Sequence, residues 1–274
     1  MLKLTNISQL VSYQSASDTI QTMSNIEILI KKETIQEIGP TVNNADEIVD
    51  CSGRLVTPGF VDPHTHPVFY KGREEEYTMR LAGASYQEIA KNGGGILSSI
   101  KDVRNASEDD LVERVKKRMT RFIKLGTTTL EAKSGYGLDT ESELKSLRVL
   151  NRVNCDHPID IIPTFLGAHA FPPEFSDDPD GYVDLLCDEM IPAVGEQGIA
   201  QYCDVFCEKG YFSVEQSRRI LETGKTYGLV PRLHAGEFED SGAAELAAEV
   251  GAVSADHLMA VSNAGISALK NGAV

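Results

Sequence analysis

Positive charge is scarce in this chain. Against 41 Asp and Glu residues stand 26 Lys and Arg, a formal net charge of −15 over 274 residues. No basic stripe interrupts the acidity, which excludes nucleic acid as a partner. The acidity itself does not call for a cationic substrate, because much of it lies in helix-like runs such as Ala106–Glu113 that read as solvated surface. No apolar run approaches the ~18–20 residues that a bilayer-spanning helix needs. The opening MLKLTNISQLVSYQSASDTI lacks a compact apolar core and a small-residue cleavage site, so a cytoplasmic address is expected. Cysteines number five, an odd count at irregular spacing with no Cys-x-x-Cys, which fits reduced intracellular thiols rather than a disulfide framework. Cys203 and Cys207 read as buried structural thiols. A G-x-G-x-x-G between a strand and a helix is also missing; Gly93-Gly94-Gly95-Ile96 follows a helical stretch instead, which speaks against a dinucleotide.

With 41% hydrophobic and 24% charged residues, the chain has the composition of an ordinary globular protein. Up to about residue 57, short runs of alternating character (Ile26–Ile30, Ile35–Ile38, Glu47–Cys51, Arg54–Val56) are punctuated by Gly39-Pro40 and Asn43–Asp46, which predicts a small β layer. After Pro58 the rhythm becomes strand, loop, helix. Strands are predicted at Gly59–Asp62, Thr127–Ala132, Ile159–Leu166, Cys203–Cys207, Leu229–Leu233 and Ala252–Ala255. Helices are predicted at Tyr86–Ala90, Ala106–Leu125, Thr140–Val153, Asp180–Val194, Ser213–Tyr227, Gly242–Val250 and Ala264–Leu269. In the second of these, Leu111, Val115, Met119, Phe122 and Ile123 form one apolar stripe, Ser107 is the N-cap and Gly126 the terminator. Such alternation means a parallel sheet, either doubly wound or closed as a (β/α)₈ barrel, and the missing dinucleotide fingerprint favours the barrel. Asn271–Val274 reads as the opening of a seventh strand. The expectation is therefore a TIM (β/α)₈ barrel, incomplete at six to seven strands, over residues 58–274, preceded by the N-terminal part of a small β-sandwich domain over residues 1–57.

The chemistry begins at LVTPGFVDPHTHPVF, Leu55 to Phe69, where an apolar strand runs into His64-x-His66. Residues two apart on a strand share a face, so His64 and His66 present two imidazoles side by side, half of a transition-metal site. Pro63 and Pro67 mark the end of that strand. Three further histidines follow predicted strands: His169 after IIPTFLGA, His234 after LVPRL and His257 after AVSAD. In a parallel barrel all these strand ends meet at one mouth. His157, in the Asn154–Pro158 turn, reads as surface. His234 can complete a facial set with His64 and His66, and Glu237, three residues on, then serves as general base and later as proton donor to a leaving nitrogen. The competing reading of each histidine is a satisfied core imidazole, and of Glu237 an N-cap or first-turn carboxylate.

PGFVDPHTH resembles the first strand of the amidohydrolase superfamily. DPHTHPVF with Arg73, GGGILSSIKDVR, TTTLEAKSGYGL, TFLGAHAFPPEF, QSRRIL, HAGE and SADHL narrow the resemblance to its branch that opens the imidazolone ring in histidine degradation. The resemblance covers nearly the whole chain. It implies hydrolysis of 4-imidazolone-5-propanoate to N-formimidoyl-L-glutamate with one divalent ion, zinc or iron. It also implies His64, His66 and His234 as ligands, Arg73 and Tyr136 with His169 beside them as substrate-binding residues, and Glu237 with His257 as the pair that handles water and polarises the ring carbonyl. An arginine fork suits the propionate tail. On the other side, Arg73 could pair with its acidic neighbours Glu74–Glu76, and Tyr136 could be a turn aromatic between two glycines. Lys133 invites a bridging-carbamate reading, discounted because it follows the second strand. The family implies a homodimer, and an aspartate ligand at the end of strand eight that does not occur in these residues; the isolated chain is expected to bind metal weakly, aggregate or be inactive. The alternatives are a hydrolase or deaminase of another ring, such as cytosine or guanine, and a non-catalytic barrel used for binding.

Overall fold

A computed structural model describes residues 1–83 and 94–274. The predicted helix Tyr86–Ala90, and Gly93 of the glycine run, lie outside the described residues. Two compact units result, Met1–Phe60 and Val61–Val274.

In the first unit, β1 (Leu2–Ile7), β4 (Ile26–Lys31), β5 (Thr34–Gly39) and β6 (Glu47–Asp50) form a four-stranded sheet in the order β5-β4-β1-β6. A second sheet joins β3 (Thr19–Met23), β2 (Gln9–Gln14) and β7 (Leu55–Val56). Ile7, Leu10, Ile26, Ile28 and Cys51 form its small apolar core. β4, β5, β6 and β7 lie where alternation predicts them; β1, β2 and β3 are not predicted.

The second unit is a six-stranded parallel sheet in the order β13-β12-β11-β10-β9-β8. Its strands are β8 (Phe60–Thr65), β9 (Thr127–Lys133), β10 (Asp160–Ala168), β11 (Tyr202–Cys207), β12 (Val230–Ala235) and β13 (Ser254–His257). β10, β11 and β12 are buried along almost their whole length, as expected when both faces are covered. The sequential neighbour order is the one a (β/α)₈ barrel requires, and six such strands are present. Pro63 does not end β8, which continues to Thr65. Being at the edge of the sheet, β8 has ladder positions that need no N–H donor, so a proline is tolerated inside it.

The helices are α1 (Glu74–Leu81), α2 (Ile96–Asn105), α3 (Glu108–Lys124), α4 (Thr140–Asp156), α5 (Pro179–Leu185), α6 (Ile191–Gln197), α7 (Val214–Thr226), α8 (Ala243–Val250) and α9 (Asn263–Gly272). A π-helical turn over Leu186–Met190 joins α5 to α6. Ser107 caps α3 by accepting from the Asp110 N–H, and Gly126, at φ +95°, turns the chain out of it. Leu111, Val115 and Met119 on its stripe are fully buried. Ala106 closes α2 rather than opening α3. Neither α1 nor α2 is predicted: α1 buries no residue, and α2 opens at Gly95 in an unusual backbone conformation (φ 70°, ψ −152°) instead of at a capping side chain. Asn271 and Gly272 do not begin a seventh strand. They finish α9, which closes on Ala273 at φ +58° with the Val274 N–H returned to the Leu269 carbonyl. Among the described residues, no helix is long and apolar enough to cross a membrane.

The α3 stripe anchors the barrel side of the molecule. Met119→Ala, which empties a fully buried site, should cost about 2–5 kcal/mol in urea unfolding. Ser107→Ala, which removes only the cap, should cost about 0.5–2 kcal/mol.

Candidate metal centre and substrate cavity

Parallel strands all deliver their C-terminal ends to one side of the sheet, and the predicted histidines sit there. His64 lies near the end of β8 and His66 just after it; His169 follows β10, His234 is on β12 and His257 ends β13. Ring centroids stand 5.0 Å apart for His64 and His66, 4.5 Å for His64 and His234, and 5.1 Å for His234 and His257. His169 stacks on His66 at 5.0 Å and 24°. His157 is elsewhere, half-buried at the end of α4, with Nε2 3.3 Å from the Thr120 hydroxyl.

The Nε2 of His66 is 3.1 Å from that of His64 and 3.3 Å from that of His234. Carboxylates fix the other nitrogens: Asp256 Oδ2 is 2.9 Å from His64 Nδ1, and Asp204 Oδ1 is 2.9 Å from His234 Nδ1. Carboxylates only accept, so both imidazoles carry their proton on Nδ1 and turn an Nε2 lone pair toward His66. One proton on His66 can serve only one of those lone pairs, whereas a cation serves all three nitrogens. Among the described residues, the buried Nδ1 of His66 has no hydrogen-bond partner. The donor set therefore fits a divalent transition ion bound by neutral imidazoles. His64, His234 and His257 also bring ring nitrogens within 4.8 Å of one another, so four histidines stand close enough to supply ligands.

Burial pushes the pKa of His66 well below the usual imidazole range, with the neighbouring histidines and Lys133 acting in the same sense. Burial likewise drives His169 down to about 3, and its Nδ1 donates to the Gly135 carbonyl at 2.8 Å. Both rings are thus neutral at pH 7, the form that ligates or accepts.

Beside the histidines, a cavity of about 390 Å³ is lined by Arg73, Tyr136, His169 and Glu237. Arg80, Phe206 and Tyr211 also face it. Glu237 is not a helix cap, since α8 begins at Ala243 with Gly242 as its N-cap. Its Oε2 lies 3.6 Å from His257 Nε2. Arg73 keeps a loose contact with Glu76 at 3.9 Å while lining the cavity.

Tyr136 is carried by the loop after β9, and that loop is nailed down by a residue the sequence does not single out. Glu143, fully buried on α4, accepts the backbone N–H groups of Gly135, Gly137 and Leu138 at 2.8–2.9 Å. Burial pushes its carboxyl up even so. A side chain at Gly137 would meet Ser142 Cβ at 2.4 Å, so the loop needs glycine there. Also unforeseen are Asp204, Asp256, Arg232 and Glu131. Arg232 Nη2 lies 3.2 Å from Asp256 Oδ2, and Lys133 lies between Glu131 and Asp204 at 2.8 and 2.6 Å. Two carboxylates in contact with Lys133 call for an ammonium there, which agrees with discounting a carbamate. The signal that could have found these residues is a charge inside an otherwise apolar, two-face-buried strand.

Against proteins of known identity, the chain is 51% identical over 261 residues to the imidazolonepropionase of Geobacillus kaustophilus (strain HTA426), covering 92% of this chain and 62% of that protein. It is 54% identical over 226 residues to that of Shouchella clausii (strain KSM-K16), covering 82% of this chain and 51% of the relative. The chain is a homologue of the imidazolonepropionases. It spans between about half and three-fifths of the length of these two imidazolonepropionases. No protein-family model matches it. Among solved structures, guanine deaminase from C. acetobutylicum with bound guanine superposes with a TM-score of 0.62 at 15% identity, over 98% of this chain and 65% of that one. The 5-methylcytosine deaminase of Klebsiella pneumoniae gives 0.60 at 18% identity, over 91% and 55%. At such identities these deaminases speak for the fold alone, a parallel (β/α) barrel.

Glu143 gives this site its first test. Glu143→Ala should destabilise the chain by about 1–3 kcal/mol for each backbone N–H left without a partner. Glu143→Gln, which keeps one acceptor oxygen, should lose less in the same denaturant titration.

Proposed function

We propose that this chain carries the catalytic centre of a cytoplasmic hydrolase that opens the ring of 4-imidazolone-5-propanoate to N-formimidoyl-L-glutamate. The observation that carries the proposal is the meeting of three imidazole Nε2 atoms beside a cavity lined by Arg73, Tyr136, His169 and Glu237. Sequence identity of about half to imidazolonepropionases supports the choice of substrate.

His64, His66 and His234 would hold the ion, zinc or iron. When bound, such an ion supplies Lewis acidity and lowers the pKa of water toward ~7. Glu237 takes the proton of the attacking water and returns it to the ring nitrogen as the C–N bond breaks. His257, in contact with Glu237, donates to the carbonyl oxygen as negative charge develops there. Arg73 pairs with the propionate carboxylate through its guanidinium fork. Tyr136 and His169 flank the ring and set its orientation, which turns an encounter into a reactive pose.

Turnover is to be measured in the intact protein by following N-formimidoyl-L-glutamate. Glu237→Gln should lower it by roughly 10²–10⁴-fold while metal content is retained. Unchanged turnover in that variant would remove Glu237 from the mechanism. Chelation should abolish activity, with zinc or iron restoring it; activity that survives a metal-free preparation would sink the metal-dependent reading.

A further inference from the structure

The proposed centre does not explain why an ammonium and two carboxylates are sealed beneath it. Lys133 and Asp204 are both completely buried, and Glu131 nearly so. Taking three charges out of water costs several kcal/mol for each, so such a cluster persists only where geometry compensates closely. Here it does. Lys133 Nζ lies 2.6 Å from Asp204 Oδ2 and 2.8 Å from Glu131 Oε1. The other oxygen of Asp204, Oδ1, is the one 2.9 Å from His234 Nδ1. In the β11–β12 ladder Asp204 lies opposite Arg232, and His234 is two residues further along the same face. The carboxylate must therefore reach up one layer to meet the imidazole, and it needs something to hold its lower oxygen in place. Lys133, reaching in from β9 across β10, is the group that does so.

We infer that Lys133 is a positioning residue for the metal centre: it anchors Asp204, which fixes the tautomer and ring orientation of His234 so that Nε2 faces the ion. This rests on the reading of His234 as a ligand. Lys133 acts through Asp204, its 2.6 Å partner; Asp256, the carboxylate beside His64, lies farther off at 3.9 Å. His64 has its own carboxylate, Asp256, with Arg232 behind it at 3.2 Å, while His66 Nδ1 has none among the described residues. The two flanking ligands are thus each backed by a carboxylate and a cation, whereas the central one is held by its contacts with His169 and the two flanking rings.

The test is zinc affinity of the intact protein, measured by competition with a chromophoric chelator, in a double-mutant cycle of Lys133→Met and Asp204→Asn. Groups that orient a ligand typically contribute 10–100-fold in metal affinity. Lys133→Met should weaken zinc binding by about that factor, and the double variant should bind no more weakly than Asp204→Asn alone. A lysine that merely stabilised the core would lower the unfolding midpoint without this pattern of non-additivity. If circular dichroism shows Lys133→Met unfolded, Lys133→Gln takes its place in the cycle. Wild-type affinity in the lysine variant, or full additivity with Asp204→Asn, overturns the inference while leaving the metal reading intact. A wild-type protein that binds no zinc overturns the metal reading and the inference with it.

Discussion

The constraint on which this molecule depends is the alignment of parallel strands whose C-terminal ends deliver imidazoles to one point. A strand offers a side chain to a given face only every second residue, at intervals of about 6.6 Å. Imidazoles from different strands can share an ion only if the register between strands brings the right positions level. The ladder does this: His234 on β12 is level with Phe206 on β11 and with Asp256 on β13. His64, on the far edge strand, nonetheless reaches Asp256 at 2.9 Å. Arg232 adds a second cross-connection, its Nη2 donating to the Pro63 carbonyl at 2.9 Å. The first and last strands of the sheet are thus tied together by side chains at the level of the candidate centre.

Beneath the imidazoles the interior changes character in layers. Asp204, Arg232, Glu131 and Lys133 form a charged stratum, while their strand neighbours Leu130 and Cys203 turn to the opposite face of the sheet, where Cys203 packs against Gly224 of α7. A polar stratum at this depth is expensive, and its members are paired rather than scattered. Burial alone would raise the Asp204 carboxyl, yet His234 and Lys133 beside it outweigh that and hold it well below the usual range. Asp256 follows the same pattern, with burial opposed by His64 and then Arg232. The stratum gives a hydrogen-bond acceptor to two imidazoles that would otherwise choose their tautomers freely.

Much of this was legible in the residues. The strand-and-helix alternation, the barrel, and the gathering of His64, His66, His169, His234 and His257 all follow from local signals: apolar runs of strand length, each ending in a histidine. Ser107 as a cap and the α3 stripe are equally local. What was not legible is what depends on distant pairing. Lys133 and Asp204 are 71 residues apart, and His64 and Asp256 are 192 apart, so no window of sequence contains both partners. Glu143 sits within eight residues of the loop it pins, but in a helical pattern it passes for one more surface acid. The last residues mislead for a different reason: Asn-Gly is a turn signal, and here α9 absorbs both before closing on a left-handed alanine.

The end of β13 shows where local propensity gives way to the needs of the site. His257 and Leu258 both have positive φ, +75° and +55°, and neither is a residue type that settles there without cost. Each such conformation costs on the order of 1–3 kcal/mol and persists only where its surroundings dictate it. Two hydrogen bonds to the adjacent strand end do so: the Leu258 N–H donates to the Ala235 carbonyl at 2.9 Å, and the Ala260 N–H to the Gly236 carbonyl at 2.8 Å. Gly236 itself needs a φ of +58°, which glycine supplies freely. The chains leaving β12 and β13 are therefore locked to each other immediately after His234 and His257. That lock carries Glu237, one residue past Gly236, to within 3.6 Å of His257. A β13 that simply ran on in extended conformation would carry the ring of His257 away from Glu237. At this strand end the strain falls on the residue whose placement the proposed proton transfer requires and on its neighbour, and the adjacent strand holds it there.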